Sequence, residues 1–322
     1  MTRMSAGRGE QPIPDRAEQS GERPVQMLLL AGSVRTSRVA VLANQIGLPL
    51  GVFPIDGTNS ILSWWFGAIA ASSPRASVSV AISDPSERQF FERIAQESVQ
   101  AGGFSVWIDR NQHRGAGGTV RDFVEDRGFG TPADGLLIAE CSTFGDFDLR
   151  GFLASIVPEA EATVLAGADG APCGVMHVSE RALRRIPAIG YFDLKEQLLP
   201  AIASAGGMVP VVRSEAASFR ISDRRSYLAL LGARHARGLK MVSEQASVDA
   251  SASIEGMTLL ARGSVVRERA IVSGSVVMQG ADIGAGAIVA RSVVPPGARV
   301  PAGARIIDEV YASLSSDGRG ES

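Results

Sequence analysis

The sequence predicts an α/β domain with a mostly parallel sheet, followed by a short left-handed parallel β-helix. Two observations carry this prediction. Between residues 25 and 140, buried strand patterns alternate with helical ones, which is typical of a parallel sheet covered on both faces. Between residues 247 and 307, aliphatic residues recur at steps of six, which indicates the coils of a parallel β-helix. The 322 residues are enough for two such units.

The first half of the chain supplies the strands and helices of the α/β unit. Its opening apolar run ends in a Gly-Ser pair, which is typical of a buried strand that enters a loop. Strands are predicted over Val25–Ala31, Ser77–Ile82, Phe104–Ile108 and Gly135–Ala139. Helices are predicted over Ser60–Ala71, Pro85–Ala101 and Gly118–Asp126, the last after a glycine-rich turn.

The repeat near the end of the chain runs over eleven positions, with steps of six residues except for a step of five before Val277 and another before Val294. Small residues between these positions let the chain turn a corner, and each aliphatic residue is expected to point into the prism. Fewer than four coils would leave exposed end strands, so we expect docking on the first domain or on another subunit, with a homo-oligomer as one outcome. The repeating positions are Val248, Ile254, Leu260, Val266, Val272, Val277, Ile283, Val289, Val294, Val300 and Ile306.

These patterns divide the chain into five segments. The first 24 residues are polar and rich in Gly, Glu, Arg and Pro, which favours disorder. The predicted segments are a disordered tail (1–24), the α/β domain (25–225), a helical linker (226–240), the β-helix (241–312) and a second disordered tail (313–322).

Composition excludes several classes of function. A net charge of -2 gives no basic excess for nucleic acid or for an anionic membrane surface. The apolar run 27–30 is too short for a signal peptide or a membrane span, so a cytoplasmic location is expected. Cys141 and Cys173 fit no metal motif and are expected in the core, and His113, His177 and His235 show no ligand spacing.

Four segments carry a resemblance to a known family. They are Leu28–Arg38, Leu48–Trp65, Arg114–Phe123 with the following 134–140, and Gly190–Pro200. In this order, and with the β-helix after them, they resemble the sugar-1-phosphate nucleotidyltransferases, especially the mannose-1-phosphate guanylyltransferase type. The resemblance implies a Rossmann-like nucleotidyltransferase domain. It also implies a reaction in which a nucleoside triphosphate and a sugar 1-phosphate give a nucleotide sugar and pyrophosphate, with Mg²⁺.

The same resemblance implies the site residues. In the family, the first segment wraps nucleotide phosphates with backbone N–H groups, and its arginine stabilises the charge of the departing pyrophosphate. The third lies close to the base and the sugar, and the strand after it ends in a metal-binding carboxylate. Carried over, this gives Arg35 and Arg38 as catalytic, Ala31, Gly32, Ser33, Gly115, Ala116, Gly117 and Gly118 as nucleotide-binding, and Glu140 as the Mg²⁺ ligand.

The sequence also departs from the family. Ser33 and Arg35 stand where glycines would, no lysine lies near Leu48, and Glu140 replaces an aspartate. The sugar-binding hairpin expected between Glu140 and Gly190 is missing. These differences keep a second hypothesis open, a catalytically impaired nucleotide-binding or regulatory protein that partners an active paralogue.

Simpler interpretations stand beside these. The run 115–118 also fits a loop that needs unusual backbone angles, and Arg35 and Arg38 fit solvated loop residues. Lys195 fits a structural salt bridge at a helix start. A third class, CoA-dependent acyltransferases, shares the β-helix but generally uses a histidine in or beside it, and no histidine lies between residues 239 and 322.

Overall fold

The computed structural model describes residues 25–32, 38–98, 103–111, 113–128 and 135–312. The predicted tails, Ser33 and Arg35 lie outside these ranges, as does the side chain of Arg38. In the first part the elements are β1 (Gln26–Leu30), α1 (Arg38–Ile46), α2 (Ile61–Ser72), β2 (Ser77–Ile82), α3 (Arg88–Glu97), β3 (Phe104–Ile108), α4 (Gly115–Arg127), β4 (Leu136–Glu140), β5 (Thr143–Phe144), α5 (Leu149–Ala154), β6 (Ala162–Ala166), β7 (Pro172–Val178), α6 (Glu180–Leu183), a π-helical turn (Leu194–Leu198) that leads into α7 (Leu199–Ser204), β8 (Val211–Arg213), β9 (Phe219–Arg220) and α8 (Arg224–Ala236).

Seven of the described strands form one sheet in the order β3-β2-β1-β4-β7-β6-β8. The first four are parallel, β7 runs antiparallel to both of its neighbours, and β8 runs parallel to β6. The chain places β2 and β3 on one side of β1 and β4 on the other. The sheet therefore has a topological switch point beside β1, where ligands bind in open α/β folds.

Helices cover both faces of this sheet. On β1, Met27 and Leu29 belong to a buried cluster that includes α2 and α8, whereas Leu28 belongs to a cluster on the opposite face with α4. Alternate residues of a strand point to opposite faces, so a fully apolar strand must be buried on both sides. The predicted α/β class is confirmed.

The helix predictions need two corrections. Residues 85–87 form a separate 3-10 turn before α3, which ends at Glu97. Helix α4 begins at Gly115, three residues before the predicted start, so the glycines form its first turn instead of a preceding loop. Glycine is a poor helix former, so sequence alone favoured the later start. Contacts of these glycines with a distant segment, described below, override that preference.

The second part is a β-helix of three parallel sheets with the orders β10-β13-β16-β19, β11-β14-β17-β20 and β12-β15-β18. The steps of five in the repeat fall where the second sheet turns into the third, at Gly274 and Arg291, whose φ angles are 56° and 47°. Its described strands are β10 (Ser247–Val248), β11 (Ser253–Glu255), β12 (Leu259–Leu260), β13 (Val265–Val266), β14 (Ile271–Ser273), β15 (Val276–Val277), β16 (Asp282–Ile283), β17 (Ile288–Ala290), β18 (Val293–Val294), β19 (Arg299–Val300) and β20 (Arg305–Ile307).

Most repeating aliphatic residues fill the prism, as predicted. Val266, Val272, Ile283 and Val289 are buried in one cluster with their neighbours, whereas Val248 on the first coil is 39% exposed. The first coil is exposed because its strand pairs on one side alone, with β13.

The β-helix docks on the α/β part, which was one of the two outcomes expected from its short length. Met241, Leu259 and Val276 belong to the same buried cluster as Trp65 of α2. The backbone of Gly57 donates a hydrogen bond to the carbonyl of residue 240, at 2.8 Å. Apolar burial is the main favourable term in such contacts, so the two parts share one core.

Several smaller predictions can be compared with the structure. Cys141 and Cys173 are free and buried, and burial raises the pKa of both thiols. Trp65 is fully buried and Trp64 packs edge-on against it. Within the described ranges, no helix has the length and apolar character needed to cross a membrane.

One buried ion pair gives a prediction on pH. Glu161, 3% exposed, accepts two hydrogen bonds from Arg185, at 2.7 and 2.9 Å, and these hold its pKa below the ordinary value of 4.5. A lowered carboxyl pKa stabilises the fold above pH 4.5, and this contribution is lost as the pH falls through the folded value. We expect Glu161→Gln to flatten the acid side of the stability curve in denaturant unfolding measured below and above that pH. An unchanged acid slope would contradict this.

Candidate nucleotide pocket

A pocket of about 280 Å³ lies at the carboxyl ends of β1, β2 and β4, at the switch point of the sheet. Five residues predicted from separate segments line it. They are Ala31, Gly32, Gly115, Ala116 and Glu140. Parallel strands end at the same edge of a sheet, so residues far apart in the chain meet there. The structure thus places these five together.

The end of β1 is held tightly against β2. The N–H groups of Ala31 and Gly32 both donate to the carbonyl of Ala81, at 3.0 Å. A Cβ on Gly32 would lie 2.3 Å from Ser83 Oγ and 3.1 Å from its backbone nitrogen, so any larger residue would force Ser83 to shift. These two N–H groups are already used in hydrogen bonds to β2. Phosphate contacts from the predicted loop would therefore have to come from residues after Gly32.

The glycines of α4 allow a second close approach. The N–H of Gly117 donates to the carbonyl of Phe192 at 2.9 Å, and the N–H of Phe192 donates to the carbonyl of Arg114 at 2.8 Å. A Cβ on Gly117 would lie 2.8 Å from both the carbonyl oxygen and the ring of Phe192. Gly117 thus packs against Phe192, and neither Gly117 nor Gly118 lines the pocket.

This contact brings the segment 191–193 over the pocket. Tyr191 and Asp193 line it, and Tyr191 is 61% exposed at its mouth, next to Gly115. Neither residue was predicted as part of the site. The sequence contained one signal for them. The segment Gly190–Pro200 resembles the nucleotidyltransferase family, but this resemblance assigned no role to Tyr191 or Asp193.

Asp109 was also missed. It follows β3 directly, is 4% exposed, and accepts hydrogen bonds from Thr119 Oγ1 at 2.5 Å and from the backbone N–H of Asn111 at 2.8 Å. Its position immediately after a buried strand could have indicated it, because β3 ends at the same edge as β1. Its carboxylate anchors the start of α4 beside the pocket.

Glu140 is part of an ion pair. Its Oε1 lies 2.7 Å from Lys195 Nζ and its Oε2 lies 3.8 Å from Arg220 Nη1. Asp193 caps the helical turn that carries Lys195, accepting the backbone N–H groups of residues 195 and 196 at 2.7 and 2.9 Å. The salt bridge that the sequence suggested for Lys195 is therefore present, and its partner is the predicted metal ligand.

These carboxylates do not form a Mg²⁺ site by themselves. Magnesium requires oxygen ligands in near-octahedral geometry. Glu140 faces a lysine, whereas Asp109 and Asp193 accept protein hydrogen bonds. In the part of the chain that the structure describes, no three His, Cys, Asp or Glu side chains group around a common metal position. Mg²⁺ at Glu140 stays a prediction from the resemblance.

The β-helix is the part of the chain that matches a known family. Residues 234–311 match the family described as GlmU-like, C-terminal hexapeptide. The match begins on α8 and spans every coil, which confirms the hexapeptide repeat. It supports an acyltransferase or nucleotidyltransferase type of protein at a coarse level and does not reach the mannose-1-phosphate guanylyltransferase type. Comparison with curated proteins gave no match.

The β-helix also borders a larger cleft. This cleft has a volume of about 1030 Å³ and lies between α2 and α3 on one side and the β-helix on the other. Ser63, Phe90 and Arg93 face Arg262 and Gln279 across it. Arg93 Nη2 donates to Gln279 Oε1 at 3.2 Å, so the cleft walls are tied at one point. The five predicted residues that meet in a pocket line the smaller one instead.

Proposed function

We propose that this chain is a sugar-1-phosphate nucleotidyltransferase-like protein of nucleotide-sugar biosynthesis, and that the switch-point pocket binds a nucleoside triphosphate and a sugar phosphate. The observation that carries the proposal is the meeting of Ala31, Gly32, Gly115, Ala116 and Glu140 in one pocket. Three separate segments supply them, and the GlmU-like hexapeptide domain follows in the order the family has.

The proposed reaction exchanges one phosphorus–oxygen bond for another. A phosphate oxygen of the sugar 1-phosphate attacks the α-phosphorus of the triphosphate, and the bond from that phosphorus to the bridging oxygen breaks. Pyrophosphate leaves with the electron pair. Such reactions depend on positioning and on positive charge near the departing oxygens. In the proposal Arg35 and Arg38 supply that charge, together with Arg220 on the pocket wall.

The finer form of the proposal is a guanylyltransferase that acts on mannose 1-phosphate. The test is pyrophosphate release from each of the four common nucleoside triphosphates with a panel of hexose 1-phosphates, with MgCl₂ and with EDTA. Release with one pair is expected and would identify both substrates. Release with none of the pairs would contradict transferase activity.

A second candidate function is a nucleotide-binding or regulatory subunit that has lost the chemistry and pairs with an active paralogue or with itself. The hydrogen bonds from Ala31 and Gly32 to Ala81 favour it, because they remove two N–H groups from the predicted phosphate loop. A rise in melting temperature with a triphosphate, without pyrophosphate release, would support it. Light scattering would show whether the protein self-associates.

Acyl transfer is a further activity that the match to the hexapeptide family suggests. The sequence has no histidine between residues 239 and 322 for the role that acyltransferases of this architecture give it. We therefore expect no acetyl transfer from acetyl-CoA to amino sugars or their phosphates. A thiol-release assay measures this directly.

A further inference from the structure

Glu140 is a largely buried carboxylate whose charge is balanced by protein cations. Its side chain is 21% exposed, and that of Lys195, at 2.7 Å, is 27% exposed. Removing a carboxylate from water is costly unless an opposite charge or a metal compensates. At Glu140, which lines the pocket, the paired ammonium group of Lys195 already gives that compensation, with Arg220 as a second and more exposed cation.

The position of Lys195 is fixed by the fold. Asp193 caps its helical turn, and Phe192, one residue earlier, is joined to Arg114 and Gly117 by two backbone hydrogen bonds. The same contacts that bring Tyr191 to the pocket mouth therefore set the distance from Lys195 to Glu140. The ion pair is part of the pocket's construction and not a chance meeting of surface side chains.

The presence of a lysine, and not an arginine, at position 195 is informative. The chain uses arginine for nearly all of its positive charge and has only two lysines, Lys195 and Lys240. A lysine ammonium is a compact point charge with three donors, whereas a guanidinium is a broad planar fork. With one donor directed at Glu140, the ammonium can still present its others to a second anion.

We propose that Lys195, through its ion pair with the pocket residue Glu140, supplies there the positive charge that the resemblance assigns to Mg²⁺. Glu140 then orients the ammonium, and the phosphate oxygens of a ligand contact Arg220 and Lys195 without a divalent ion. This inference rests on the proposed function for its ligand. Its claim about Glu140 can be tested without that ligand.

The first test is direct ion binding. Wild-type protein and Glu140→Gln are titrated with Mn²⁺, followed by the electron paramagnetic resonance signal of the free ion. The two proteins should give the same curve, because Glu140 holds no ion. A site that is present in the wild type and absent in Glu140→Gln would overturn the inference, whatever the protein binds otherwise.

The second test uses inorganic pyrophosphate as the probe in calorimetric titrations, in EDTA and in MgCl₂. We expect binding in EDTA, a loss of roughly tenfold to a hundredfold in Lys195→Met, and a smaller loss in Lys195→Arg. Lys240→Met is the matched control, because Lys240 pairs with the exposed Glu244, neither residue lines the pocket, and the affinity of this variant should be unchanged.

The sign of the Glu140→Gln effect separates the two roles of this carboxylate. If Glu140 orients Lys195, its removal frees a cation and pyrophosphate affinity in EDTA should stay equal or rise. If binding in the wild type requires MgCl₂ and Glu140→Gln abolishes it, Glu140 is a metal ligand and the inference fails. If no variant binds pyrophosphate under either condition, the proposed function fails, and the Mn²⁺ titration still decides the role of Glu140.

Discussion

Replacement of Arg234 by alanine is expected to lower the free energy of unfolding by about 3–5 kcal/mol, because it leaves a buried charge without its partner. Arg234 on α8 is 4% exposed. Its Nη2 lies 2.8 Å from Asp56 Oδ2, its Nε donates to the carbonyl of Ile55 at 3.0 Å, and its Nη1 lies 3.0 Å from Asp146 Oδ1. Urea unfolding followed by circular dichroism measures the loss.

Two further variants test the explanation. Arg237→Ala removes a neighbouring arginine that also pairs with Asp146 but is 61% exposed, and it should cost less than about 1 kcal/mol. Arg234→Lys keeps the charge and loses the fork of donors, so its cost should fall between the two. Equal costs for Arg234→Ala and Arg237→Ala would show that the buried pair with Asp56 is not important.

The second large effect is expected at Gly117, where alanine should destabilise the protein by about 1–3 kcal/mol and damage the pocket. The added Cβ would lie 2.8 Å from the backbone oxygen of Phe192, which is too close for any real contact. The segment 191–193 has to move, and it carries Tyr191 and Asp193. Pyrophosphate or nucleotide affinity should therefore fall together with stability.

Gly232→Ala is the matched control. Gly232 lies inside α8, and a Cβ there would meet no heavy atom within 4 Å beyond its own helix. Alanine in place of glycine within a helix should stabilise the protein by about 1 kcal/mol. Melting temperatures of the two variants should move in opposite directions. A Gly117→Ala protein as stable as Gly232→Ala would contradict the packing role assigned to Gly117.

The repeat and the first strands could be predicted because their signals are local. Six-residue spacing at Leu260, Val266 and Val272 follows directly from coil geometry, and local runs of apolar residues predict the buried strands β1 and β2. The start of α4 could not, since the contact of Gly117 with Phe192 joins residues 75 positions apart along the chain. Local propensity gave the wrong answer there because tertiary contacts outweigh it.

The location of the site could be predicted from the sequence better than its mechanism. The resemblance assigned Ala31 and Glu140 to one site, and the structure brings both into one pocket. The partner of Glu140 could not be predicted, because nothing local connects it with Lys195. Charge balance in a buried site depends on which side chains the fold brings within a few ångströms, and this information is not present in any single segment.

The shared core of the two parts limits how this gene could be divided or recombined. A fragment that stops before the β-helix would expose Trp65 and its neighbours, and one that starts there would expose Met241, Leu259 and Val276. Exchange of the β-helix for that of another protein would succeed only if the apolar surfaces on the two sides of the junction were complementary. Substitutions on one face of the junction should therefore require compensating substitutions on the other.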